Sequence, residues 1–117
     1  YMWSCAFRHS GGVLRFRKWR VYNGWKPIVA FGKPPIKAWW EWIPDITSGG
    51  QEKDLHEWQQ AEAEAAHYLR LCPPKGVVLD PMCGSGTTLA AGKRLGLRCI
   101  GIDIDSEAIQ IAGGRLK

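Results

Sequence analysis

The sequence predicts an α/β fold: a parallel strand–helix–strand unit in an incomplete sheet, preceded by an antiparallel β ribbon. Three observations predict it. Val77-Val78-Leu79 is a short apolar run that leads into Asp80-Pro81-Met82-Cys83-Gly84-Ser85-Gly86-Thr87-Thr88, with Leu89-Ala90-Ala91 immediately after, the pattern of a strand, a tight glycine turn and a helix start. Glycines without a Cβ let such a turn approach a ligand closely, and the N–H groups that open the next helix face an anionic group. A second strand-like run, Arg98-Cys99-Ile100-Gly101-Ile102, closes on Asp103, roughly 20 residues beyond the first glycine, where nucleotide sites grip ribose hydroxyls. Lastly, Tyr1 to Phe7 alternates large and small residues, and Trp25 to Phe31 is a second strand-like stretch able to pair with it as a ribbon.

Between these two stretches lies a basic loop from Arg8 to Asn23, with Gly11-Gly12 and Asn23-Gly24 as turn signals. Residues 32 to 50 read as a linker, because Pro34-Pro35, Pro44 and Ser48-Gly49-Gly50 interrupt any period and Trp39-Trp40-Glu41-Trp42 shows none. From Asp54 the pattern turns helical: Leu55, Trp58, Ala61 or Glu62, Ala65 and Tyr68-Leu69 recur at three- and four-residue steps. Asp54 and Glu57 form a capping-box pattern, and Pro73-Pro74 ends the helix. Val77 to Asp80 is then a buried strand, Ser85 to Leu95 a helix closed by Gly96, and Leu97 to Asp103 a second strand. A last helix starts at Asp105 or Ser106 with Ile109, Ala112 and Leu116 on one face, and Gly113-Gly114 weakens its end by about 1 kcal/mol per glycine. Strand, helix, strand, helix at this spacing predicts a right-handed parallel crossover. Residues 1–50 thus form one part, ribbon, basic loop and Trp/Pro-rich linker, and 51–117 a second, the βαβ part.

A chain of 117 residues supports one domain at most, and it opens on Tyr1-Met2-Trp3 with no initiator Met, as a piece of a longer protein would. Its charge is divided unevenly: residues 1–40 carry eight Lys or Arg and no acid, whereas residues 41–117 carry eight against eleven acids. A cationic face of that kind suits a polyanion, with an affinity that falls as salt rises; the alternative is a solvated basic loop. Cys5, Cys72, Cys83 and Cys99 form no CxxC pair, so neither a zinc site nor a disulfide framework is expected. No run of 18 apolar residues and no secretory pattern occurs, which leads to the expectation of a cytoplasmic protein without a membrane partner.

A lone GxGxxG is weak, and here Leu89 takes the place of the third glycine, which argues against an NAD-type dehydrogenase. The frame from Val77 to Thr88 followed by Gly101-Ile102-Asp103-Ile104-Asp105 instead resembles the cofactor-binding half of the DNA amino-methyltransferases, which methylate N6 of adenine or N4 of cytosine with S-adenosylmethionine. The resemblance is strong over residues 53–117 and weak before them. It implies a partial Rossmann-like methyltransferase fold, with Asp80, Pro81, Cys83, Gly84, Ser85, Gly86, Thr87, Asp103 and Ile104 around the cofactor. In that reading Asp80 lies near the methionine end, the glycines shape the turn, Thr87 caps or opens the helix, Asp103 holds the ribose hydroxyls and Ile104 packs on the adenine. Lys53-Asp54-Leu55-His56-Glu57-Trp58-Gln59 is similar to the His-Pro-x-Gln helix start that precedes the loop in this family, with Glu57 in place of proline, so His56 and Gln59 would border the methionine moiety. Caps or solvent-facing groups are the plainer reading of those two residues.

The family's catalytic Asp-Pro-Pro-Tyr or Ser-Pro-Pro-Tyr loop has no counterpart here, for Lys33-Pro34-Pro35-Ile36 lacks both the acceptor before the prolines and the aromatic after them. No catalytic or metal-binding residue is therefore assigned. The resemblance implies the C-terminal part of an enzyme whose catalytic loop lies upstream, with that N-terminal part as its partner. Open sheet edges would invite a homo-oligomer. Arg8, Arg15, Arg17, Lys18 and Arg20 are the candidates for phosphate contacts on double-stranded DNA, and Trp39, Trp40 and Trp42 are read as packing residues rather than base-stacking ones. Cys83, inside the turn, reads as a small packing residue and not as the nucleophile that cytosine C5 methylation needs. A non-catalytic binding module remains the rival reading.

Overall fold

The computed structural model describes residues 3–9, 14–16, 21–32, 43–50 and 60–117. In chain order these form β1 (Trp3–His9), β2 (Leu14–Phe16), β3 (Val21–Asn23), β4 (Trp25–Ala30), β5 (Ile46–Gly49), α1 (Glu62–Leu69), β6 (Val77–Asp80), α2 (Thr87–Arg94), β7 (Arg98–Gly101) and α3 (Ser106–Arg115). The strands make a three-stranded sheet in the order β4-β1-β5 and two pairs, β2-β3 and β6-β7. The fold is therefore mixed α/β with partial sheets, as the sequence predicts.

The expected ribbon is present: β1 and β4 are antiparallel, with Trp3 opposite Ala30 and Arg8 opposite Trp25. Pro27 sits in β4 because that strand is an edge of its sheet, where a missing N–H costs least. Its partner Ala6 is satisfied elsewhere. The Ala6 amide donates to the Asp45 carbonyl at 2.8 Å, and the Ala6 carbonyl accepts the Tyr68 hydroxyl at 3.1 Å.

Two expectations for the first half are corrected. Residues 46–49 are not linker but β5, parallel to β1 with Ala6 opposite Ile46 and His9 opposite Gly49. Ile-Thr-Ser-Gly has too little apolar alternation to announce a strand, and what recruits it is the free side of β1, a non-local cause. The basic loop likewise holds a short hairpin, β2 against β3, with Arg15 opposite Tyr22. The Pro34-Pro35 and Trp39-Trp40-Glu41-Trp42 segments lie outside the described residues, as do Asp54 and Glu57.

α1 ends at Leu69, ahead of Pro73-Pro74, and packs on both β5 and α2. Its buried positions include an acid, Glu64, only 5% exposed. Lys26 of β4 meets it at 2.7 Å, with the ammonium also 5.4 Å from the centre of the Phe7 ring. A buried carboxylate is tolerable only with such a partner, so this pair ties α1 to the ribbon.

In the second half β6 and β7 are parallel, Val77 opposite Arg98 and Asp80 opposite Gly101, joined through α2. Val78 is buried on the side that α2 covers, whereas Val77, Leu79 and Ile100 are half exposed on the other. The core against the helices is made of small residues, Ala90 and Ala91 of α2 with Ala108 and Ala112 of α3, which let the elements approach closely around Leu89. Asp105 caps α3 by accepting the Glu107 amide at 2.9 Å, and the helix runs through Gly113-Gly114 to Arg115. Among the described residues no helix is long and apolar enough to cross a membrane.

Candidate functional site

The turn after β6 is built by backbone bonds that extend the β6–β7 pairing past the strand ends. Ile102 N donates to the Asp80 carbonyl at 2.9 Å, and Cys83 N donates to the Ile102 carbonyl at 3.0 Å. Asp80 and Asp103 therefore stand at the carboxyl ends of adjacent parallel strands, where open α/β sheets form their ligand crevice. Gly86 N closes the turn on the Cys83 carbonyl at 2.8 Å, and Gly86 caps α2 in left-handed backbone, φ 79°. Thr87 opens α2, but the Gly86 cap brings no side chain to the helix end.

Asp103 does more than the sequence pattern assigns it. Its Oδ2 accepts the Gly84 amide at 2.7 Å and its Oδ1 accepts the Asp105 amide at 2.9 Å. The amides of Asp105 foremost, then of Gly84 and Ile104, hold this carboxyl below the usual carboxylate range. One oxygen of Asp80 accepts the Met82 amide at 3.2 Å.

The other described residues expected at the site each have a definite environment. Pro81 is exposed, and Ile104 is fully so at 105%. Ser85 and Thr87 are buried, and so is Cys83, which packs over Gly101 beside Leu89. Burial foremost, then the negative charges of Asp80 and Asp103, push the Cys83 thiol above its ordinary pKa, which keeps it an unreactive packing group. His56 and Gln59 lie outside the described residues. So do Arg17, Lys18 and Arg20; Arg15 lies in β2 and Arg8, exposed, in β1.

Three features leave room and contacts for a ligand at this turn. Space above Gly84 is open, with nothing within 4 Å of where a side chain would begin. Asp103 takes the Gly84 amide on one oxygen and the Asp105 amide on the other, with the Ile104 amide acting on it as well, and a carboxylate offers about four lone-pair sites, so acceptor capacity is left for a hydroxyl. An exposed apolar side chain, Ile104, follows directly as a surface for a flat ring.

Sequence reasoning missed the support behind the turn. Arg115, near the end of α3, donates from Nη1 to the Ser85 carbonyl at 3.0 Å and to Thr87 Oγ1 at 3.2 Å, and from Nη2 to Glu62 Oε2 at 3.2 Å. Glu62 Oε1 is bonded in turn by Arg94 at 2.6 Å. A basic residue in the last turn of a helix carries no signal of such a task.

Fold and turn together define an α/β protein of the methyltransferase type. Over 97% of its length the chain superposes on M1.HpyAVI in its SAM complex, with a TM-score of 0.71 and 25% identity, covering 60% of that chain. It superposes equally far on the cytosine-N4-specific PvuII DNA methyltransferase, with a TM-score of 0.73, 14% identity and 50% of that chain covered, a likeness of fold. The DNA methylase family model matches residues 30–113, and the chain belongs to this N6/N4 DNA methylase family. It is 35% identical over 100 residues to the type II methyltransferase M.ScaI of Streptomyces caespitosus and 36% identical over 82 residues to M2.DpnII of Streptococcus pneumoniae. These alignments take in 81% and 64% of the chain, which spans about a third of the length of either relative, 32% and 31%.

Proposed function

We propose that this chain is the S-adenosylmethionine-binding part of a DNA methyltransferase acting on an exocyclic amine, N6 of adenine or N4 of cytosine. One observation carries the reading: two carboxylates at the ends of adjacent parallel strands flank a glycine turn that is open above Gly84 and closed beneath Gly86. When bound, the cofactor supplies an electrophilic methyl group on its sulfonium. Asp103 holds the ribose hydroxyls with its remaining lone pairs, Ile104 packs on the adenine, Asp80 attracts the amino group of the methionine moiety, and the N-terminus of α2 faces the carboxylate. Pro81, Cys83, Ser85, Gly86 and Thr87 shape the turn, and His56 and Gln59 border the methionine.

Residues 51–117 form the cofactor part in this proposal and residues 1–50 the ribbon and basic part. Arg8, Arg15, Arg17, Lys18 and Arg20 rest on the phosphates of double-stranded DNA in a cytoplasmic enzyme. The base-handling loop comes from the rest of the same enzyme, and the sheet edges support a homo-oligomer. Support comes from the family membership and from a structural neighbour of the chain that is a SAM complex.

Isothermal titration of the full-length protein tests the site. S-adenosylmethionine binds and NAD does not; binding of NAD alone would overturn the proposal.

A further inference from the structure

We infer that Arg115, held by Glu62, is a positioning residue for the glycine turn: it fixes the turn from behind, so its loss loosens the cofactor site while every group that touches the ligand stays in the chain. The inference rests on the reading of this turn as the S-adenosylmethionine site.

Three observations converge on it. α3 is the wall on which the turn lies, for a Cβ added to Gly86 would come 2.8 Å from Ala112 Cβ. One turn further along the same helix, the Arg115 guanidinium spans the residues on either side of Gly86, reaching the Ser85 carbonyl and the Thr87 hydroxyl. Its other nitrogen is anchored on Glu62, the first residue of α1, whose second oxygen holds Arg94 of α2. The turn is thus referenced to three helices at once through a single side chain.

Burial and chemistry give this arrangement force. The Arg115 and Glu62 side chains are only 14% and 18% exposed, so their ion pair is shielded far more than a surface pair. Ser85 and Thr87 are 6% and 8% exposed, so loss of the guanidinium leaves a buried carbonyl without this donor. A planar fork with five N–H groups can serve a carbonyl, a hydroxyl and a carboxylate together, whereas a lysine ammonium at the end of a flexible stem cannot hold all three in one geometry. Cofactor sites need this kind of outer support, because groups that must stand in register around a ligand are only as fixed as what packs behind them.

Amide hydrogen exchange and cofactor titration of the full-length protein test the inference together, with Arg115→Met, Arg115→Lys and Glu62→Gln set against Lys26→Met. The last breaks the distant pair on the ribbon and serves as a destabilised control. Arg115→Met speeds exchange at residues 83–88 by about tenfold or more, as expected when a local opening is relieved of about one hydrogen bond to a charged group. It weakens S-adenosylmethionine binding by a similar factor, Glu62→Gln does so less, and Arg115→Lys recovers only part of the loss. Lys26→Met lowers Tm but leaves exchange at 83–88 and the affinity unchanged. Unaltered exchange in Arg115→Met, or a loss of affinity in Lys26→Met proportionate to its Tm, overturns the inference. If the wild-type protein binds no S-adenosylmethionine, the site reading falls, and exchange at 83–88 alone then decides whether Arg115 fixes the turn.

Discussion

The carboxylate of Asp103 accepts the amide of Gly84 at 2.7 Å, so the acid just beyond the end of β7 clasps the glycine turn that follows β6. The residue proposed for the ribose is thereby also part of the frame around it, and the two tasks share one charge.

Asp103→Ala accordingly weakens S-adenosylmethionine binding by about tenfold or more, the scale of losing hydrogen bonds to an ionised group. The pH dependence has a definite sign. Asp103 is held below the usual range by its amide donors, so its contribution is complete above about pH 4 and is lost as pH falls through the lowered value. The Gly84 amide resonance, followed by NMR, stays in place from neutral pH down to that limit and moves only below it; a shift near neutrality would contradict the assignment.

Gly86→Ala damages the turn from the opposite side. A side chain at φ 79° costs about 1 to 2 kcal/mol, and its Cβ meets Ala112 at 2.8 Å, so a total of about 2 kcal/mol or more is expected in chemical denaturation. The paired Gly86→Ala, Ala112→Gly variant recovers the part due to crowding but not the part due to backbone.

Tyr68 reports on the other half of the molecule. Its hydroxyl bonds the Ala6 carbonyl, and burial first, then the neighbouring Cys5, Glu64 and Asp45, push its pKa up to about 12. A raised value means that the folded state prefers the neutral phenol, so the stabilisation is full below about pH 10 and is lost as pH rises toward about 12. Phenolate absorbance of the folded protein should lag that of the unfolded chain over this window, and Tyr68→Phe should cost about 1 kcal/mol and abolish the lag.

Lys26→Met strands the Glu64 carboxylate among α1 and the ribbon. The expected cost is about 2 kcal/mol, below that of a wholly buried pair because the lysine side chain keeps 29% of its exposure. Adding Glu64→Gln returns much of it, and a double-mutant cycle in denaturant measures the coupling.

The basic segment yields a prediction about binding. Neutralising Arg15 and Arg17 to Gln in the full-length protein lowers the slope of log affinity for DNA against log salt by up to about 0.9 for each phosphate that is no longer neutralised. Equal slopes for variant and parent would remove these residues from the interface.

What was legible from the chain was whatever local chemistry decides. The strand Val77–Asp80, the turn, the helix after it and Asp103 announce themselves through an apolar run, two glycines and an acid at a fixed interval. β5 did not, because Ile46-Thr47-Ser48-Gly49 becomes a strand only through the vacant side of β1. Arg115 did not either, since its meaning lies in Ser85, Thr87 and Glu62, which are 28 to 53 positions away in the chain. Nothing local marks Glu64 as a buried position, and only the fold reveals the lysine that lets it be buried.

The two polar groups of Ala6 are taken by Asp45 and Tyr68, the second of them 62 residues downstream. During synthesis β1 therefore emerges before the residues that complete its hydrogen bonding. Closing so wide a span of chain is slow, so the bond from Tyr68 to Ala6 is expected to form after the local pairing of β1 with β4 and after the βαβ unit.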